Sequence, residues 1–287
     1  MELRQLVTFK TIVDSGGFKK AAEKLGYAQS SITSHVKELE TELETALFDR
    51  LGKTVTLTQS GKRFFPYAVD IIQLYNQAKE AVQEDGEPSG KLTIGVSESL
   101  MIYWLPEFIR SFMAKYPAVH LELKAVDYQN VTAQLKRGDY DMALLVEMSG
   151  WQSDELIVQK LSEEPLLLVR SSEADEPPAS ETMLLAERSC SWRPVFEEYL
   201  QKSGKDSGET IELPSIEAIK QCVLSGLGTS LLPHFSVQSD IESGRLKHIE
   251  VDLSNEHAGI YTAYHKNKWR SSCFNVFCQE LEQSLPK

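Results

Sequence analysis

Long apolar runs are missing from this chain of 287 residues. No stretch approaches the 18 or so residues that read as a membrane span, and the chain opens on Glu2, Arg4 and Gln5 rather than on a basic-then-apolar leader. The expected location is the cytoplasm, with no membrane partner. Cysteine is scarce: Cys190, Cys222, Cys273 and Cys278 are too few for a disulfide scaffold and lack the paired C-x-x-C spacing of a zinc site. The six histidines are scattered, so no metal site is expected. Catalytic signatures are absent too, with no G-x-S-x-G, no H-E-x-x-H and no P-loop. Ser34-His35-Val36-Lys37 fits S-x-x-K without its companion motifs, and Gly226-Leu227-Gly228 lacks the rest of a dinucleotide fingerprint. The expectation is therefore no enzyme, no catalytic residue and no cofactor. What remains is 41% hydrophobic and 25% charged, an ordinary globular composition with length for roughly two domains.

Positive charge is in deficit, 30 Lys+Arg against 42 Asp+Glu, which excludes indiscriminate binding to nucleic acid. The deficit is unevenly spread. Residues 1–85 carry 11 basic and 12 acidic side chains, so nearly the whole excess of −12 lies beyond them. Within residues 1–37, Arg4, Lys10, Lys19, Lys20, Lys24 and Lys37 outnumber Glu2, Asp14 and Glu23, and Arg50, Lys53, Lys62 and Arg63 form a second basic group. Local basic patches on an acidic protein suit an address on DNA.

Leu3, Leu6, Val7, Phe9 and Val13 make a helical stripe that Ser15-Gly16-Gly17 ends, and Phe18–Leu25 is a second short helix. After the turn Gly26-Tyr27-Ala28-Gln29, the segment Ser30–Leu43 places Ile32, Val36, Leu39 and Leu43 on one face. Its other face is small, polar and nearly uncharged, as a helix entering the major groove requires. Leu47-Phe48-Asp49-Arg50 and Thr54–Thr58 read as two strands with Lys53 at the tip of their hairpin, a wing. The run Leu25…Ser30-Ser31-Ile32-Thr33…Leu39-Glu40…Leu43…Leu47-Phe48-Asp49-Arg50…Leu57-Thr58…Gly61 resembles the winged helix-turn-helix of LysR-type transcriptional regulators. The resemblance implies an N-terminal DNA-binding domain over residues 1–61, contacting DNA through Gln29, Ser30, Ser31, Thr33, Ser34, Lys37, Arg50, Lys53 and Thr58. At Glu44 this family usually carries the glycine that ends the recognition helix. The left-handed conformation needed there costs another residue about 1 kcal/mol.

From Phe64, the residues Phe64, Ala68, Ile71, Tyr75, Ala78 and Val82 recur at heptad spacing. Pro66 implies a kink or a late start. The resemblance makes residues 62–87 a dimerisation helix and implies a homodimer, with tetramers through the C-terminal domains.

Glu84–Gly90 is a polar hinge. Beyond it, strand-like and helix-like stretches alternate: Lys91–Ser97, Leu105–Tyr116, Val119–Val126, Val131–Arg137, Met142–Val146, then Leu166–Val169, a helix near Pro194–Lys202, Ile211–Leu213, Ile216–Leu224, Thr229–Leu232 and a helix near Phe274–Leu285. Such alternation predicts an α/β fold with a mainly parallel sheet. Ile94-Gly95-Val96-Ser97, Gly138-Asp139-Tyr140-Asp141 and Gly226-Leu227-Gly228…Leu232-Pro233 resemble the two-lobed, periplasmic-binding-protein-like effector domain of LysR-type regulators. That places an effector domain over 88–287, with lobe I near 91–161 plus 267–287 and lobe II near 162–266. Ligands in such sheets sit at the carboxyl ends of strands, which selects Ser97, Ser99, Gln129, Glu147, Ser191, Trp192 and Thr229 for a small-molecule effector. A helix N-terminus at Ser97–Ser99 favours an anionic group, whereas Glu98 and Glu147 oppose one. The expected function is a LysR-type regulator that binds double-stranded promoter DNA as an oligomer, answers a small molecule and engages RNA polymerase. One alternative is redox sensing through Cys190, with Arg188 and Arg193 as candidate positive neighbours. A solute-binding receptor is the alternative from another class, and it has no use for residues 1–85.

Overall fold

The computed structural model describes residues 1–51, 54–81, 87–173, 182–204, 208–253 and 257–284. Two expected site residues, Lys53 and Val82, lie outside the described residues. The chain divides into two compact units, one built on Met1–Gly86 and the other on Glu87–Leu135 with Asp139–Lys287.

In the first unit, α1 (Leu3–Ser15) and α2 (Phe18–Leu25) each stop at a glycine in the left-handed region, Gly16 and Gly26. The third helix, α3 (Gln29–Glu42), buries Ile32, Val36 and Leu39. It ends one residue short of Leu43, which caps it. Glu44 follows at φ 52°, the one non-glycine with positive φ among the described residues. The Glu44 N–H donates to the Thr41 carbonyl (3.3 Å) and the Thr45 N–H to the Glu40 carbonyl (3.1 Å). These are the paired bonds of a Schellman turn, made here without glycine. The Glu40 carboxylate accepts from the backbone N–H groups of Leu47 (2.7 Å) and Phe48 (3.2 Å), tying the helix to the wing. That wing is β1 (Phe48–Leu51) against β2 (Thr54–Leu57), antiparallel with Phe48 opposite Leu57.

The long helix α4 runs Gln59–Ala81 and contains Pro66. It starts three residues before the expected 62, because the Thr58 hydroxyl accepts from the Gly61 N–H (2.9 Å) and caps its first turn. Gly61 is required by contact: a Cβ there would lie 2.1 Å from the Leu47 carbonyl oxygen. The expected heptad seam is corrected at its start. Phe64 packs against the first unit's core and Ala68 is buried in it, together with Phe65 and Val69, around Phe9, Ile32 and Leu39. Those apolar groups are already removed from water within one chain. The large apolar side chains left exposed along α4 are Tyr67 (66%), Leu74 (63%), Tyr75 (47%) and Ile71 (37%), with Ala78 also exposed.

The second unit proceeds through β3 (Gly90–Val96), α5 (Glu98–Tyr103), α6 (Leu105–Lys115), β4 (Val119–Ala125), α7 (Val131–Arg137), β5 (Met142–Met148) and β6 (Leu156–Glu164). It then crosses to a second lobe: β7 (Leu166–Ser171), β8 (Met183–Ala186), α8 (Arg193–Lys202), β9 (Thr210–Leu213), α9 (Ile216–Leu224), β10 (Ser230–Pro233), α10 (His234–Glu242) and β11 (Leu246–Ile249). The chain returns to the first lobe as β12 (Ala258–His265) and α11 (Ser272–Ser284).

Lobe I is a five-stranded sheet of order β4-β3-β5-β12-β6. β3 is parallel to β4 and β5, whereas β12 is antiparallel to both β5 and β6. The sheet is thus mixed, and the expected lobe boundary at 162–266 is corrected. β12 belongs to lobe I because its unbroken buried run pairs with the buried strand β5. Lobe II holds two smaller sheets: β8 is parallel to β9 and makes one parallel bridge, Met183 to Thr229, just before β10, and β7 runs antiparallel to β10 and β11. α6 and α11 cover the lobe I sheet through Phe108, Phe112 and Phe277, whose rings lie 5.0–5.2 Å from one another at the Phe277 contacts. No helix among the described residues is long and apolar enough to cross a membrane.

Candidate DNA interface and effector cleft

Burial of Ile32, Val36 and Leu39 turns the opposite face of α3 to solvent. Gln29, Ser30, Ser34 and Lys37 are exposed there, and Ser31 and Thr33 are half-buried. The Thr33 hydroxyl donates to the Gln29 carbonyl (2.9 Å), and the Ser34 hydroxyl donates to the Glu38 carboxylate (2.9 Å). Gln5 also donates to Glu38 (3.0 Å). Together these bonds hold the Glu38 carboxyl below its ordinary value. The Glu38 carboxylate is therefore turned toward α1 and paired. Lys19, Lys20 and Lys24 are exposed on α2. Arg50 stands on β1. Thr58 is committed elsewhere: besides capping α4, its hydroxyl donates to the Ala46 carbonyl (2.7 Å), so both of its hydrogen-bonding roles serve the junction between wing and helix.

In the second unit, the start of α5 and the segment after β4, from lobe I, face the β8–α8 connection and the start of α9, from lobe II. Between them lies a cavity of about 140 Å³, whose lining includes Glu98, Ser99, Tyr128, Glu187, Cys190 and Trp192. Of the expected effector residues, Ser99 and Trp192 line it. Trp192 is buried and its indole N–H donates to the Leu231 carbonyl (3.3 Å). Ser191 points the other way, donating across the lobes to the Val146 carbonyl (3.1 Å). Glu147 lies beside it, and burial, opposed by the bond to Ser191, pushes its carboxyl up to about 7. Ser97 is buried at the end of β3. Gln129 is exposed outside the lining, with its N–H on the Asp127 carboxylate (3.1 Å). Thr229 is fully buried; its N–H donates to Thr182 (3.0 Å) and its carbonyl accepts from Leu184 (2.9 Å), so its backbone extends the lobe II sheet.

The contacts that the sequence reading did not reach are mostly ones that join residues over long separations. The Glu98 carboxylate accepts from the Ser215 hydroxyl (2.8 Å) and the Ile216 N–H (3.3 Å), so it sits on the N-terminus of α9. At the other end of α5, the Tyr103 hydroxyl donates to Glu217, and the Lys220 ammonium lies 4.4 Å from the Tyr103 ring centroid. Burial and Glu217 push the Tyr103 hydroxyl far above its ordinary value. Lys220 is itself paired with the buried Asp240 at 3.3 Å. The short helix α5 is thus fastened to lobe II at both ends. Nothing in the local pattern around Glu98 or Tyr103 signals partners more than a hundred residues away.

Cys190 lies against the cavity, but its surroundings oppose a thiolate. Burial pushes the thiol up to about 12, and the carboxylates of Glu147 and Glu187 push in the same direction. The expected positive neighbour Arg193 is committed to Glu197 (2.7 Å), Glu212 (2.5 Å) and the Ala186 carbonyl (2.7 Å). Arg193 is therefore not available to stabilise a thiolate at Cys190. Among the described residues, no group of three or more His, Cys, Asp or Glu side chains is placed to hold a metal ion.

Residues 3–62 match the family described as bacterial regulatory helix-turn-helix protein, lysR family. Residues 85–286 match the family described as LysR substrate binding domain. Among curated relatives, the uncharacterized HTH-type transcriptional regulator YwqM of Bacillus subtilis is 39% identical, over 96% of this chain and 97% of its own length. The HTH-type transcriptional regulator GltR of the same species is 31% identical, over 93% and 91%. Among solved structures, a full-length OxyR variant from Pseudomonas aeruginosa superposes with a TM-score of 0.77 at 22% identity, covering 98% of both chains.

Proposed function

The chain belongs to the LysR family of DNA-binding transcriptional regulators with an effector-binding domain, and from that premise we propose how its residues divide the work. Gln29, Ser30, Ser31, Thr33 and Ser34 read base edges in the major groove, while Lys37, Arg50 and Lys53 hold phosphate or reach the minor groove. The observation that carries this reading is α3 itself, with an apolar face closed into the core and an exposed opposite face of small hydrogen-bonding groups. Thr58 is left out of the contact set, because its hydroxyl serves as a cap.

The protein works as a homodimer, with tetramers through the C-terminal units, and engages RNA polymerase at promoters in the cytoplasm. A pair of α4 helices joined along Ile71, Leu74, Tyr75 and Ala78 sets the separation of two recognition helices on a symmetric operator. The effector occupies the cavity between the lobes, touching Ser99 and Trp192, with Ser97, Glu147 and Ser191 supporting its walls.

DNase I footprinting of the full-length protein upstream of its own and neighbouring genes tests the DNA half, followed by affinity measurements on the site found. Gln29→Ala and Thr33→Ala should each cost about 1–3 kcal/mol and relax one operator position. Unchanged affinity and unchanged sequence preference in both variants would remove α3 from the base-reading role.

A further inference from the structure

The cavity between the lobes has an acidic rim. Among the described residues, its charged lining side chains are Glu98 and Glu187, both exposed, and no lysine or arginine joins them. Arg193, next to the lining residue Trp192, is held by two carboxylates and the Ala186 carbonyl. The N-terminus of α9 is closed to a ligand anion, since the Glu98 carboxylate already sits on it. The apolar and aromatic part of the lining includes Tyr128, Trp192, Leu213 and Pro214. Ser99 is 2% exposed and faces the cavity, and its hydroxyl makes no hydrogen bond to the described residues. A hydroxyl that opens only onto the cavity is free to take its partner from a ligand held there.

The volume sets the size of that ligand. A cavity of about 140 Å³ is close to the roughly 150 Å³ space that takes benzene, a body of about six non-hydrogen atoms. Resting on the reading of this cavity as the effector site, we propose that the effector is a short cationic amine. Its ammonium group sits at the Glu98 and Glu187 rim, its carbon body lies against Tyr128 and Trp192, and its polar end meets Ser99. Each carboxylate oxygen has two lone pairs, so Glu98 can accept an ammonium hydrogen while keeping α9. The aromatic faces of Tyr128 and Trp192 are suited to the same charge. A simple carboxylate of equal size would meet two like charges and no counter-charge.

The test is isothermal titration calorimetry on the full-length protein at low salt, with butylamine and 1,4-diaminobutane as amine probes and butyrate and succinate as carboxylate probes. The expected result is binding of at least one amine and of neither carboxylate. Glu187→Gln, an exposed substitution that leaves the core untouched, should weaken amine binding roughly tenfold. Ser99→Val should weaken it by a similar factor while the far-ultraviolet circular dichroism stays the same. Binding of succinate or butyrate in preference to the amines, lost in Trp192→Ala, would overturn the amine class and leave the cavity as the effector site. Amine binding that is indifferent to both Glu187→Gln and Ser99→Val would overturn the cavity itself. Absence of binding by every probe at millimolar concentration would overturn the proposed ligand class.

Discussion

A single backbone angle shows how a residue can depart from the family pattern without altering the path of the chain. Glu44 takes the left-handed conformation at a position where the family resemblance implies glycine, and both hydrogen bonds of the Schellman turn are still made. Glu44→Gly should therefore raise the stability of the first unit by up to about 1 kcal/mol, read as a higher melting temperature with unchanged operator affinity. Two carboxyls in the second unit, Glu164 buried and Glu147 half-buried, carry a pH signature. Burial moves both Glu147 and Glu164 from an ordinary 4.5 to about 7. The folded protein then binds those protons more tightly than the unfolded chain does. Their contribution to stability is complete below about 4.5 and is lost as pH rises through about 7. Urea unfolding followed between pH 5 and 8 should show the second transition weakening with rising pH, and Glu147→Gln with Glu164→Gln should flatten that slope. Glu164 keeps its bond to the Phe235 N–H (2.7 Å) through the glutamine carbonyl, so the helix start it supports persists in the variant.

At the scale of elements, α4 divides into a buried beginning and an exposed end. Ala68→Asp should unfold the first unit, because it places a charge in a core that excludes water. Leu74→Asp should instead leave the unit folded and yield monomers with weakened operator binding, and sedimentation with circular dichroism separates the two outcomes. An intact dimer in Leu74→Asp and Ile71→Asp would move the interface off this helix. The elements legible in the sequence were those whose reasons are local. α7 and α9 run over the residues expected from their periodicity, and Ser215 provides α9 with its cap, accepting from the Ala218 N–H. The helix-turn-helix was legible for the same reason, with Gly16 and Gly26 as stops. β12 was not legible, since its run of buried residues lacks alternation and its pairing partners β5 and β6 lie far away in sequence. The seam misled at Phe64 and Ala68 because heptad spacing reports that a face is apolar and is silent on whether that face meets its own domain or another chain. In the cleft, Glu98, Ser99 and Trp192 were accessible from strand ends and helix starts, whereas Tyr128 and Glu187 depended on contacts between lobes.

At the scale of the whole molecule, a small ligand can change transcription only if its affinity differs between two arrangements of the protein, with a coupling typically about 1–3 kcal/mol. The fastening of α5 to α9 is an element on which such a difference can act. Removing the hydroxyl that joins Tyr103 to Glu217 should loosen the lobes. Tyr103→Phe is expected to lower the stability of the second unit by roughly 1.5–3 kcal/mol, the range for a hydrogen bond to a charged group, and to speed amide exchange at the start of α9. Unaltered exchange there would show that the bond does not hold the lobes. The order of the strands has a separate consequence. The second unit begins in lobe I with β3 and finishes in lobe I with β12 and α11, so lobe II is an insertion carried on two crossings of the backbone, at Glu164-Pro165-Leu166 and between β11 and β12. A body attached in this way is a graft: its strands and helices could be exchanged for those of a relative by two junctions alone. Such a chimera would carry new ligand preferences on an unchanged lobe I, and its α5 would have to find a carboxylate acceptor and a helix start on the incoming lobe.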